Sequence, residues 1–137
     1  MASGIYDCFK EDLMVADVNL GTGGDTLKVA LLDNSHAFDA TDTVWSDISA
    51  NEISGTGYTA GGATLASQAV AVASNTAAFD AADTSWTTAT ITAYHAVIYD
   101  TTNTNSLICS IDFGGAQTAT TGTFTIEWNA NGIVSLT

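Results

Sequence analysis

Two eight-residue boxes hold the densest set of potentially reactive side chains. FDATDTVW occupies residues 38–45, and FDAADTSW occupies residues 79–86, 41 positions later. Each places an aromatic, two aspartates three apart, a threonine and a tryptophan at the same offsets. Such spacing could serve a hard cation, with Asp39 and Asp42, or Asp80 and Asp83, supplying carboxylate oxygens to calcium. A calcium loop of the EF-hand type needs acidic groups at alternate positions and a glutamate at its twelfth. Neither box has that array. The same residues suit a turn, because Asp and Thr side chains bond nearby backbone amides. Phe and Trp would then anchor its two ends in a core. NEISGTGYTAGG has no counterpart after Trp86, so the flanks do not realign as a duplicated unit. The expectation is one turn used twice, followed each time by a strand-like run, with no divalent-ion requirement.

The other reactive groups are scattered. His36 lies in DNSHAFD, which reads as a loop, and His95 lies mid-strand between Tyr94 and Ala96. A histidine in such a strand is ordinarily satisfied in the core or at an interface. With Cys8 and Cys109 the two histidines do not form zinc-ligand spacing. A Ser-His-Asp set can be assembled from any chain this rich in Ser and Asp, but the nucleophile elbow G-x-S-x-G is absent. A carboxylate pair for glycoside cleavage would draw mainly on Asp, since Glu11, Glu52 and Glu127 are the only glutamates. GTGGD at residues 21–25 lacks the Lys-Ser/Thr of a phosphate loop, and the G-x-G around Thr56 lacks a strand–turn–helix setting. No catalytic, cofactor-binding or metal-binding residue is expected, and no enzyme.

The elements that would position these groups follow from composition and period. The chain has 137 residues, enough for one domain with a real core. Its charge is one-sided: 15 Asp plus Glu against Lys10 and Lys28, for a net −13. No basic stripe exists to neutralise phosphates, so neither nucleic acid nor an anionic membrane surface is an expected partner. A basic protein surface is. Cys8 and Cys109 read as free thiols in a reducing cytosol. Met1 is followed by Ala-Ser-Gly-Ile without a basic or apolar leader segment, and synthesis in the cytoplasm without secretion is expected.

Residues 4–16 have a helical period, with Ile5, Phe9, Leu13 and Ala16 on one stripe and Ser3 as N-cap. This helix would plug one end of a β core or dock on a neighbouring subunit. Residues 26–33 read as a strand, with Leu27, Val29 and Leu31 opposite Lys28, Ala30 and Leu32. A glycine-broken loop leads to a short strand over residues 63–72. Residues 91–100 alternate, placing Ile91, Ala93, His95, Val97 and Tyr99 together. They form a hairpin with LICSIDF, where Leu107, Cys109, Ile111 and Phe113 share a face. GGAQTATTG reads as a loop. Phe124, Ile126 and Trp128 face inward before an Asn131-Gly132 hairpin turn returns residues 133–136. The sum is a mainly β chain, an antiparallel β-sandwich or flattened barrel over residues 1–137, with one short N-terminal amphipathic helix. Trp45, Trp86 and Trp128 are expected to be at least half buried, with Leu31, Val97, Phe113, Phe124 and Ile126.

In order and spacing, TLKVALLD, NEISGTGYTAGG, FDAADTSW, ITAYHAVIYD, SLICSIDFGG and FTIEWNANGIVSLT resemble a family of small virion proteins of tailed bacteriophages. The likeness covers nearly the whole chain, apart from GTGGD and QAVAVASNTAAF, which read as variable segments. It implies a structural component of the particle and brings no catalytic residues. The first expectation is a decoration or cement protein on the outer capsid surface, bound to the major capsid protein and self-associated as a trimer. The alternative is a tail, neck or baseplate component, with a receptor-binding module among its forms.

Overall fold

The computed structural model describes residues 3–137 and is mainly β, with two antiparallel sheets and one short N-terminal helix. The chain runs β1 (Gly4–Ile5), α1 (Asp7–Val15), β2 (Leu27–Leu32), α2 (Trp45–Ile48), β3 (Ala63–Thr64), β4 (Ala69–Ala73), β5 (Thr76–Asp80), β6 (Thr84–Asp100), β7 (Ser106–Ile126) and β8 (Val134–Leu136). One sheet has the order β1-β7-β6-β2-β3, and the other β4-β5-β8.

The alternation of β2 is realised as read, and both of its faces are buried. Leu27, Val29 and Leu31 join a large core with Phe9, Phe79, Trp86, Ile98 and Phe124. Ala30 and Leu32 join a second core with Tyr6, Ile48, Val97, Tyr99 and Leu107. The first core fills the space toward α1 and β5; the second lies beneath residues 36–48. All three tryptophans are at least half buried, and Trp86 is only 6% exposed.

Several boundaries differ from expectation for definite reasons. The N-terminal helix begins at Asp7 with Tyr6 as N-cap. Gly4 and Ile5 instead pair with Ser110 and Cys109 at the edge of β7, while Ser3 Oγ accepts from the Asp112 amide. Gly4 is required there because a side chain would run into the Phe38 ring. Of the apolar stripe only Phe9 is fully buried, and Leu13 and Ala16 are exposed. The strand expected over residues 63–72 is two strands in different sheets, separated by a turn in which Ser67 has φ +54°.

GGAQTATTG is strand, not loop. Gln117, Thr118 and Ala119 pair with Ala93, Thr92 and Ile91, and a Thr92–Thr118 hydroxyl bond of 3.0 Å joins the exposed face. Threonine's branched Cβ suits such a half-exposed ladder. Gly114, at φ +77°, opens a wide irregularity between the pairs Ala93–Gln117 and His95–Asp112. A bulge of this kind reverses facing. Ile91 and Ala93 therefore share the first core with Ala96 and Ile98, whereas Val97 and Tyr99 face the second. A further shift between Ile98 and Tyr99 separates Leu107 from Cys109 in the same way. The chain does turn at Gly132, but β8 pairs with β5 rather than returning along β7. The Ile133 amide bonds Phe79 O at 2.7 Å and hands the segment to that sheet.

Candidate functional site

The two boxes fold differently. In the first, Asp39 Oδ1 accepts from the Thr41 amide and hydroxyl at 2.9 and 2.7 Å, a local Asx turn. These bonds hold its carboxyl below the usual range. Trp45 then opens α2 rather than a strand, and its ring stacks on Tyr99 at 4.9 Å. In the second, Phe79 and Asp80 end β5, and Asp80 bonds its neighbour's amide at Ala81. Asp83 reaches across to accept from the Trp128 amide at 2.9 Å, and Trp86 continues into β6. The turn used twice is thus one turn leading to a helix and another linking two strands. The reason is register: Thr84–Trp86 finds a partner in Phe124–Ile126, whereas only Val44 of the first box makes a bridge, to Ser106. Among the described residues no three His, Cys, Asp or Glu side chains converge as a metal site.

The histidines, 59 positions apart in sequence, meet edge to face at 5.1 Å. Both are 1% exposed. His36 Nε2 lies 3.1 Å from Ser110 Oγ, and His95 Nδ1 lies 3.8 Å from Asp112 Oδ1. Among the described residues neither ring nitrogen of His95 has a partner at hydrogen-bond distance. Burial lowers both histidine pKa values, and their mutual repulsion adds to the effect at His36. Burial likewise pushes the Tyr6 phenol up, tempered by the nearby Ser110 hydroxyl. A serine on a histidine is one half of an acyl-transfer pair. Here Ser110 is 1% exposed, so a substrate carbonyl has no path to its Oγ. The cluster fastens the 36–38 segment and β1 over the sheet. Nothing local in the sequence announces it.

A buried acid sits at the β6–β7 turn. Asp100, 1% exposed, accepts from the Thr102 and Asn103 amides through Oδ1. Its carboxyl is pushed up to about 6, chiefly by burial and then by the facing Asp25 carboxyl. Asp12 of α1 accepts from Ser106 Oγ at 2.7 Å and from Asn103 Nδ2 at 3.2 Å, tying the helix to the same turn. Cys8 and Cys109 are free; Cys8 Sγ points at Leu107 O, 3.2 Å away.

The largest uncovered apolar feature lies elsewhere. Val70, Phe79 and Val134 are in cross-strand register, as are Val72, Ala77 and Leu136. Neighbours in register share a face of a sheet. That face meets Phe9 and Leu13 of α1 across an apolar groove of about 480 Å³. Phe79 is sealed, but Val70, Val72 and Leu136 are 48%, 76% and 67% exposed. At the helix end that borders the groove, Met14 is 89% and Val15 57% exposed. A second concavity of about 570 Å³ lies beside Phe124 and Trp128 and has a more polar lining. The sequence signal for the apolar face was the alternation in AVAVA, inside a segment that reads as variable.

Comparison with protein-family models, with curated proteins and with solved structures returns no match.

Proposed function

We propose that this protein is a non-enzymatic structural component of a tailed-phage virion that decorates and reinforces the head shell. The observation that carries the proposal is the uncovered apolar face of β4-β5-β8 with the end of α1, on a chain of net charge −13. Val70, Val72 and Leu136 share one sheet face and stand in water, and clustered exposed apolar side chains mark an interaction site. On a symmetric shell many modest contacts, linked through an oligomer, hold by effective concentration. The resemblance of the sequence blocks to small virion proteins, read from the sequence alone, points the same way, with the major capsid protein as the proposed partner and a homo-oligomer, a trimer in the first instance, as the proposed bound form.

The test is copy number in purified virions combined with a deletion. Decoration requires hundreds of copies per particle. Heads lacking the protein should assemble but lose DNA at lower temperature or on osmotic shock, and added purified protein should restore resistance. A few to a few dozen copies, with loss of host adsorption on deletion, would favour the tail or receptor-binding alternative.

A further inference from the structure

β4 is an edge strand: β5 pairs with one side, and among the described residues no strand pairs with the other. All five of its residues are exposed. Natural edges are normally blunted by a charge, a proline or a bulge. Here residues 66–79 contain no charged residue and no proline, and β4 keeps unbroken register with β5. An unprotected edge bordering an apolar groove is the layout that accepts an added strand: its main chain pairs with the edge and alternate side chains enter the groove.

The surrounding charge selects the occupant. Among the described residues Lys10 is the only cation lining the groove, and Asp7 holds its ammonium at 2.6 Å. Asp80 stands opposite Ala69 in register, and the Asp25 carbonyl is bonded by Gln68 next to Ala69. Glu11 and Asp17 lie on and just beyond α1. Asp80 and Asp25 make the Ala69 end of the edge acidic, while the residues at the other end, Ser74–Asn75–Thr76, carry no charged side chain. A second copy pairing antiparallel would lay its own Ser74–Asn75–Thr76 end beside Ala69, which offers these carboxylates no counter-charge, and would join two chains each at −13.

We infer that the β4 edge and its groove receive an extended segment of another protein, apolar at alternate positions and basic at the end that lies beside Ala69. In an antiparallel pairing that end follows the apolar run. The inference rests on the assembly reading above and names the chemistry of the partner it requires.

The free full-length protein tests it. A labelled peptide TVTVTKK is titrated by fluorescence anisotropy, beside TVTVTEE and TSTSTKK. Saturable binding of TVTVTKK is expected, at least tenfold weaker for either control and weakening with salt. Val72→Lys and Leu136→Lys, both at exposed positions, should each reduce it at least tenfold with an unchanged melting curve. No saturable binding, or equal binding of the Lys and Glu peptides, would overturn the inference. So would wild-type dimers that Val72→Lys dissolves, because the occupant would then be a second copy. The peptide result does not depend on the particle. Binding lost while the protein still counts in the hundreds per virion refutes the groove alone; binding retained by a protein missing from virions refutes the assembly reading.

Discussion

The five-stranded sheet is buried on both faces through its middle, and the three-stranded sheet is buried on one. In the first, β2 and the Asp100 end of β6 are closed above and below, and every residue from His95 to Asp100 is buried. In the second, Phe79 reaches the core while its strand neighbours Val70 and Val72 stay in water. Both carry apolar residues at a period of two, so the pattern alone does not say which one is finished. What separates them is a cover. The larger sheet has residues 36–48 and Tyr6 over its outer face. The smaller meets α1, which Asp12 ties to the β6–β7 turn and which reaches the groove no farther than Leu13, and residues 18–21 beyond it, and Val70, Val72 and Leu136 stay exposed. The larger sheet is an interior, and the smaller one has the composition of an interior without the closure.

Substitutions should separate the two. The largest loss is expected for Trp86→Ala, which empties a site between Tyr58 and Phe124 in the closed core. It should cost about 3–5 kcal/mol in denaturant unfolding. Trp45→Ala, at the same offset in the other box but less deeply buried, should cost about 1–2 kcal/mol, mostly its stacking on Tyr99. Equal losses would mean that the two boxes are equivalent after all.

Acid should distinguish the closed region in a second way. Asp100 titrates near 6 when folded against an ordinary 3.8, so the folded state keeps a proton that the unfolded chain has lost. Its stabilisation is complete below pH 3.8 and disappears as pH rises through about 6. His36 and His95 act oppositely, since their folded values are lowered. Their contribution is present above pH 6.5 and is lost as pH falls through the folded values. Melting curves of wild type and Asp100→Asn should therefore diverge toward acid, with wild type gaining on the order of 1–3 kcal/mol relative to the variant between pH 7.5 and 4.5. A constant difference would remove Asp100 as the source.

On the open sheet, Val72→Lys should change stability by no more than about 0.5 kcal/mol. A loss comparable to that of Trp86→Ala would show that the face is covered in the free protein. The smallest effect concerns metal: chelation should leave the melting temperature unchanged. A large shift restored by calcium would revive Asp39, Asp42, Asp80 and Asp83 as ligands.

Much of the architecture was legible because period and turn chemistry are local. The alternation of β2, the β6–β7 turn and the inward Phe124 and Ile126 all follow from neighbours in sequence. Bulges are not so legible, since Gly114 opens one only where a partner strand passes. Plain alternation places His95 on the face of Ile91 and Ala93; the irregularity between Ala93 and His95 puts it on the other, with Val97 and Tyr99. The two boxes show the same limit more sharply. Identical offsets gave a helix at Trp45 and a strand at Trp86 because only the second had a free ladder beside it. The groove is not legible in AVAVA alone, because the apolar face exists only once β8 pairs with β5 beside it.

The role of the open face is tested most directly by counting copies per purified virion for wild type and Val72→Lys expressed at equal level. Decoration through this face predicts hundreds of wild-type copies and a loss of most of them in the variant, whose soluble form melts as wild type does. Equal, high occupancy by the variant would contradict it.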